Sequence, residues 1–414
     1  MTSLNKVSSF LTDCIGWKLP KENPPGLSGW PYTMSNRYVI FGPPGSGKTT
    51  TLVGRIERAV KENRGYGGDM LIGSLTRTAA HEIASRVKAK CPGVEFPHVG
   101  TVHALALRAL RAVGEPTALV YEPEHIEDFN RTYQRSLPRD LGRLLYESEA
   151  RNYDMKRLAE IDRLRAAETP VSAWPESATH LYNQWTAWKD AHGLMDFTDI
   201  IVRATAVCRI HPANPSYIFM DEAQDLSRLE MRLIKQWSEG TLKTIIAGDD
   251  QQALYEWRGA SVRDFIDFAP EENTHVLPNS FRMRRAIYEH AIGVGNRISQ
   301  RKDKRFHPKA EGGEVVHIGR FALLNSLISD AEAGRTVMLL ATCGYMLDPW
   351  LMELRKLGVP FHNPYRVAQE GKTWNPMECG DARALRYFLG PSRGQQMWTW
   401  QQLYDVTKHL ENVA

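Results

Sequence analysis

The octapeptide Gly42-Pro43-Pro44-Gly45-Ser46-Gly47-Lys48-Thr49 fits the pattern G-x-x-x-x-G-K-[ST], between an apolar run, Tyr38-Val39-Ile40-Phe41, and a helix-period segment. Strand, glycine loop and helix in that order form a phosphate cradle. Glycines let backbone N–H groups wrap a phosphate chain with no Cβ in the way, and the helix N-terminus adds partial positive charge. The candidate phosphate-binding residues are Gly42, Gly45, Ser46, Gly47, Lys48, Thr49 and Thr50. In such a loop the lysine reaches the β and γ phosphates of a nucleotide and the hydroxyl of Thr49 ligates magnesium. A Gly/Pro turn matching by chance would not require a strand before it and a helix after it.

Three further apolar runs, Met70-Leu71-Ile72, Tyr217-Ile218-Phe219-Met220 and Thr244-Ile245-Ile246-Ala247, have the length of strands buried on both faces. Between them, Ala80, Ile83, Ala84 and Val87 share one helical face, as do Leu226, Leu229, Leu233 and Trp237, and Ser227 with Glu230 makes a capping box. Strands alternating with helices give an α/β fold. At 414 residues, 42% hydrophobic and 24% charged, the chain has material for several domains and a large core, which argues against disorder. No apolar run approaches the length of a membrane-spanning helix, and the first twenty residues lack a basic start followed by an apolar block, so no membrane association and a cytoplasmic location are expected. Cys14, Cys91, Cys208, Cys343 and Cys379 are scattered, without the spacing of a zinc site or disulfide framework. The net charge of +4 hints at an anionic partner.

The domain boundaries expected are an irregular arm at 1–36, an α/β domain at 37–278 and a second, partial α/β domain at 279–414. Residues 115–195 are charged, Trp-rich and free of strand-like runs, and read as an all-helical insertion in the first domain, with Trp174, Trp185 and Trp188 as packing anchors. In the second domain the strand candidates are Glu314–Ile318 and Thr336–Ala341, with a helical stretch between them and another helix at Leu347–Leu357.

The third apolar run ends in Asp221-Glu222. A carboxylate at the C-terminal end of a strand beside a phosphate loop is where magnesium takes a protein oxygen, so Asp221 is the candidate metal-side ligand and Glu222 the candidate base for water. Asp221-Glu222-Ala223-Gln224-Asp225 then stands among further blocks: Leu75-Thr76-Arg77-Thr78-Ala79-Ala80, Gly100-Thr101-Val102-His103, Met195-Asp196-Phe197-Thr198-Asp199, Gly248 through Ala260, Asn279-Ser280-Phe281-Arg282, and Gly358-Val359-Pro360-Phe361. In this order they resemble the UvrD/Rep-type superfamily 1 DNA helicases. The resemblance runs from about Val39 to Phe361 and implies a RecA-like P-loop domain of parallel sheet with a helical insertion, followed by a partial second RecA-like domain.

The resemblance also implies roles. Lys48, Glu222, Gln252 and Arg282 would be catalytic, with Gln252 sensing the γ-phosphate and Arg282 acting as an arginine finger. Phe281 would stack on adenine. Thr76, Arg77, Thr101, His103, Tyr255, Trp257 and Arg258 would contact DNA, the aromatics by stacking on bases. ATP and Mg2+ would be the cofactors, and single-stranded DNA or DNA with a single-stranded tail the partner. Plainer readings stand beside these. Tyr255 and Trp257, two apart, would share a face on a strand and could be core; Arg282 could sit in a surface ion pair and His103 in the core; the run Arg301-Lys302-Asp303-Lys304-Arg305 reads as a solvated loop rather than a DNA contact.

Three departures bear on function. No glutamine precedes Gln134, where these helicases carry an adenine-reading glutamine; Leu75 stands where many have an aromatic; and no segment after Phe361 resembles the late blocks T-x-H-x-x-K-G-x-E and V-A-x-T-R-A. The activity expected is an ATP-dependent helicase or translocase moving 3′ to 5′ on single-stranded DNA, with a separate polypeptide supplying the late blocks. The alternative is a truncated or degenerate module that binds ATP and single-stranded DNA without unwinding by itself. A small-molecule kinase would share the phosphate loop alone.

Overall fold

The computed structural model describes residues 35–63, 66–144, 152–356, 359, 361–362 and 373–374. The arm at 1–36, save its last two residues, and Gly358 and Pro360 of the G-V-P-F stretch lie outside them. The chain divides into two units, Met1–Leu141 with Arg151–Glu314, and Gly142–Ala150 with Val315–Ala414.

The first unit is built on a six-stranded sheet of order β3-β2-β4-β5-β1-β6 with parallel ladders throughout. Its strands are β1 (Arg37–Phe41), β2 (Met70–Ser74), β3 (Val99–Thr101), β4 (Tyr217–Asp221), β5 (Lys243–Gly248) and β6 (Thr274–Val276). Each of the four longer strands contains one of the apolar runs, because both sheet faces are covered. Side chains alternate across the sheet. Val39, Phe41, Leu71, Ile218 and Met220 pack on one face with helices α3 (Val102–Ala112), α7 (Phe197–Val207) and α8 (Arg228–Ser238). Ile40, Ile72, Phe219 and Ala247 pack on the other with α1 (Lys48–Glu62) and α2 (Arg77–Lys90). The edge strands β3 and β6 have three residues each and no apolar run, so nothing in their composition announces them.

Between Val120 and Leu194 the regular elements described are helical, chiefly α4 (Pro123–Tyr133), α5 (Tyr153–Ala166) and α6 (Glu176–His192). Trp185 and Trp188 are buried on α6, and Phe129 of α4 meets the Trp185 ring edge-on at 4.8 Å. Beneath them lies a buried charge cluster. Arg165 of α5 bonds Asp196 at 2.8 Å and also pairs with Asp199; Lys189 of α6 pairs with both. The Trp185 indole donates to Asp196 at 3.0 Å, and Asp196 and Asp199 form the capping box that starts α7. Burial alone would raise the Asp196 carboxyl; Arg165 and Lys189 outweigh it and hold the group ionised. Asp162 shares the site, and there burial and the Asp196 charge win and push its carboxyl up. The D-F-T-D block is thus a junction of three helices.

In the second unit the described elements include α9 (Arg320–Glu332), α10 (Asp348–Lys356) and a two-residue antiparallel pair, β7 (Phe361–His362) with β8 (Thr373–Trp374). Both helices occur where their patterns predict. The strand candidates 314–318 and 336–341 are not strands: among the described residues neither has a ladder partner. A strand exists by its interstrand hydrogen bonds, and an apolar run supplies none. Val316 and Leu340 accordingly stand 59% and 84% exposed.

The buried cluster should dominate the stability of the helical region. Arg165→Met leaves Lys189 alone against two carboxylates and is expected to lower unfolding free energy by about 3–5 kcal/mol. Arg203→Met, which breaks the exposed pair with Glu115, should cost about 0–1 kcal/mol. Urea midpoints of the two variants check both.

Candidate functional site

The C-terminal ends of the parallel strands converge on the phosphate loop. β1 stops at Phe41, Gly42 N donates to Gly248 O at the end of β5 (3.2 Å), and α1 begins at Lys48. Gly45 and Gly47 take positive φ of 72° and 84°, the left-handed region that glycine enters without penalty. A Cβ at Gly42 would fall 2.2 Å from Ser46 Oγ, so the cradle is closed to side chains at its base. Ser46 Oγ is buried without a hydrogen-bond partner, and Lys48 Nζ is buried with Gly42 O at 3.0 Å. An orphan hydroxyl and a desolvated ammonium beside a helix N-terminus fit an anionic phosphate group.

Thr49 donates its hydroxyl to Asp221 Oδ2 at 2.7 Å. Asp221 ends β4, the strand between β2 and β5, and burial raises its carboxyl despite that bond. These two oxygens suit magnesium, which takes one or two protein ligands and fills its shell with water and phosphate oxygens. Among the described residues no group of three or more His, Cys, Asp and Glu gathers into a richer metal site.

Glu222 follows with φ 51° and ψ 41°, an unusual conformation for a residue with a side chain. Such backbone strain, on the order of 1–3 kcal/mol, persists where neighbours over-determine it. Here Glu222 N donates to Asp221 Oδ1 at 3.1 Å and Gln224 Nε2 donates to Glu222 Oε2 at 3.0 Å. Gln224 is buried, and its Oε1 accepts from Asp249 N at 3.1 Å. Asp225 accepts from Leu254 N at 2.9 Å; burial, with help from the Glu222 charge, raises its carboxyl to about 6. The D-E-A-Q-D segment is therefore stitched into the loop after β5.

That loop carries Gln252, whose amide donates to Asp249 Oδ2. It continues through Tyr255, Trp257 and Arg258, and residues 256–258 form a 3₁₀ turn rather than a strand, so the shared-face core reading fails. Trp257 is 49% exposed, with the Tyr255 ring 6.2 Å away and the Arg258 guanidinium 5.6 Å from the Tyr255 centroid. Arg228 N donates to Gly259 O, and Ser261 N to Leu226 O, which fastens the turn beside α8. Gly259 has φ 90°, and a Cβ there would come 2.9 Å from Ala167 N, just past α5, so only glycine lets the turn lie so close to the helical region.

Ser280 donates its hydroxyl to Pro44 O at 2.7 Å, and Phe281 N donates to Gly45 O at 2.9 Å. Phe281 and Arg282 are thereby fixed against the phosphate loop, with Phe281 67% exposed. Thr50 is exposed on α1.

Thr76, Arg77, Thr101 and His103 form a separate group. Thr76 and Thr101 are the N-caps of α2 and α3, accepting from Ala79 N and Ala104 N. Arg77, Thr101 and His103 line an open cleft of about 420 Å³ with His81, Arg108 and Phe197. His103 Nδ1 lies 3.2 Å from buried Glu230. Burial would raise the Glu230 carboxyl; bonds and charge from His103, with Ser227, bring it down to about 2. His103 is thus half-buried and paired, neither plain core nor free.

The sequence blocks contain Gln224, Asp225 and Asp249 but give them no role, and the solvated-loop reading passes over Lys304. The run 301–305 is not a solvated loop: Lys304 is buried between Asp249 and Asp250, Lys302 pairs with Glu271, and Arg301 donates to the carbonyls of Asn296 and Ile298. The single trace of Lys304 in the sequence is the unpaired acidic doublet Asp249-Asp250, which has to be neutralised wherever it is buried.

The family model of the UvrD/REP helicase N-terminal domain matches residues 31–273. The chain belongs to this family. Its resemblance extends to the ATP-dependent DNA helicase PcrA of Staphylococcus aureus, 25% identical over 311 residues, covering 69% of this chain and 41% of the relative. The PcrA helicases of Leuconostoc citreum (25% identical, covering 69% and 40%) and Staphylococcus epidermidis (24%, covering 69% and 41%) are similar to the same extent. The chain spans about two fifths of the length of these curated relatives. The matched region takes in the whole parallel sheet but for the last strand, which it leaves after Asn273. No helix among the described residues is long and apolar enough to cross a membrane.

The Glu230 site gives a pH test. A carboxyl held below its ordinary value stabilises the fold above that value, and the contribution is lost as pH falls through about 4.5 towards 2. Glu230→Gln is expected to cost about 2–3 kcal/mol at pH 7 and little near pH 2. Denaturant unfolding of both proteins across that range checks it.

Proposed function

We propose that the chain is an ATP hydrolase driven by single-stranded DNA, the motor of a helicase or translocase moving 3′ to 5′. The observation that carries this reading is the Thr49–Asp221 bond with Glu222 beside it, at the end of a strand adjoining the phosphate loop. Family membership supports ATP as the nucleotide and DNA as the polymer, and the PcrA relatives are named as ATP-dependent DNA helicases.

In this reading Gly42, Gly45, Ser46, Gly47 and Lys48 bind the phosphates, Lys48 neutralising charge at the β–γ bridge. Thr49 and Asp221 would hold magnesium, which would supply positive charge to the phosphate oxygens. Glu222 takes a proton from the attacking water as its oxygen bonds to the γ-phosphorus and the bond to the leaving ADP oxygen breaks. Gln252 and Arg282 read and stabilise the γ-phosphate, and Phe281 offers its exposed face to the adenine ring. Tyr255 and Trp257 stack on bases and Arg258 holds the backbone, while Thr76, Arg77, Thr101 and His103 extend the path of the strand. Stacking tolerates any base, as a motor on arbitrary sequence requires.

A second reading is an ATP- and single-stranded-DNA-binding module that needs another polypeptide to unwind. It is favoured by the absence of a parallel sheet among the described residues of the second unit. A motor closes its nucleotide between two domains, and that clamp would then come from a partner.

Steady-state hydrolysis with and without single-stranded DNA, against Lys48→Ala, tests the proposal. Stimulation by DNA that is lost in Lys48→Ala supports the motor; DNA binding with background hydrolysis supports the module. Glu222→Gln should slow turnover about 10²–10⁴-fold while keeping ATP affinity. Trp257→Ala should cost about 1–3 kcal/mol of strand affinity, and Arg258→Ala should lower the salt dependence of binding by about one counterion. Unchanged DNA stimulation in both would remove the turn from the DNA path.

A further inference from the structure

Lys304 is drawn out of solvent by the groups around it. Its side chain is fully buried, with Nζ 2.5 Å from Asp249 Oδ1 and in contact with Asp250 Oδ1. Asp249 has several duties. Oδ1 also accepts from Gln251 N at 3.2 Å, Oδ2 accepts from the Gln252 amide, and its own N–H is held by Gln224. With Lys304 on Oδ1, Oδ2 is the oxygen that orients Gln252. Asp250 is engaged from the same segment, its Oδ2 accepting from Lys302 N at 2.6 Å.

A few residues on, the segment reaches the other side of the phosphate loop. His307 N donates to Pro278 O at 2.8 Å, Ser280 N to His307 O at 2.9 Å, and Lys309 N to Met283 O at 2.8 Å. Ser280 and Phe281 are the residues bonded to Pro44 and Gly45. One stretch, 302–309, is thus bonded at one end to the loop bearing Gln252 and at the other to the block bearing Phe281 and Arg282.

We infer that Lys304 is a positioning residue for γ-phosphate recognition: it fixes Asp249, and through it the Gln252 amide, in register with Arg282. It touches no substrate itself. A lone ammonium between two buried carboxylates admits few arrangements, and this use of a buried ion pair is for geometry more than for stability. If Lys304 is lost, Asp249 is free to turn and the competent arrangement becomes a smaller fraction of the population. Apparent affinity for a ligand that needs that arrangement falls by the same fraction. ATP carries the γ-phosphate and ADP does not, so their affinities should separate.

The inference rests on the proposed nucleotide site, and the test distinguishes the two. ATP and ADP are titrated against a fluorescent ADP analogue bound to the full chain. The variant is Lys304→Met with Asp250→Asn, which removes one buried charge of each sign and leaves the net charge of the cluster unchanged; Asp250→Asn alone is the control. Wild type and the control are expected to prefer ATP. The double variant should lose about fivefold or more of that preference with ADP affinity within about twofold. Equal weakening for both nucleotides, or an unchanged preference, would overturn the role of Lys304. A wild type that displaces the analogue with neither nucleotide would instead sink the nucleotide site. If the double variant does not fold, Lys304→Arg, which keeps the charge but not the compact ammonium, carries the same readout with a loss of about twofold expected.

Discussion

The hydrogen bond from Thr49 to Asp221 ties the first turn of α1 to the end of β4, and most of the site depends on that junction. It requires a parallel sheet, because only parallel strands bring the ends of β1, β4 and β5 to one edge. It also requires that the sheet be buried on both faces, since a strand exposed on one side would not hold a carboxylate in a low-dielectric pocket. The helices on either face supply that burial. The apolar strands thus set the electrostatics of the site as well as its position.

From Asp221 the bonding continues outward without a gap. Glu222 is held in its left-handed conformation by Gln224, Gln224 reaches Asp249, and Asp225 reaches Leu254. These contacts tie the loop after β5 to the D-E-A-Q-D segment. The loop bears Gln252, whose amide is held by Asp249, and then Trp257 and Arg258 on the exposed turn. The phosphate loop and the aromatic turn are therefore joined by a chain of hydrogen bonds, most of them partly buried. Hydrogen-bonded neighbours of this kind carry coupling only when the element joining them has two arrangements. The loop between Asp249 and Gly259 is the element placed to do so.

Much of this fold was legible because burial on both faces leaves uninterrupted apolar runs, and the phosphate loop because its glycines are demanded by backbone geometry. The capping box at Ser227 and Glu230 was readable for a similar local reason. What escaped was non-local. Strands β3 and β6 are three residues long and pair only because neighbours present open edges. Segments 314–318 and 336–341 have the apolar character of strands but no ladder partner among the described residues. Lys304 looked like part of a solvated run because its partners lie more than fifty residues away, and charge in a sequence does not say which side chain will be buried. The Asp196–Asp199 block was visible as a motif, yet its role in joining three helices depends on Arg165 and Lys189, which no local pattern connects to it.

The phosphate loop and the exposed aromatic turn form one bonded unit. Amide hydrogen exchange of the full chain, with and without a non-hydrolysable ATP analogue and without DNA, tests it most directly. Slowed exchange is expected at 42–50 and also across 249–259. Slowed exchange at the phosphate loop with 249–259 unchanged would contradict it.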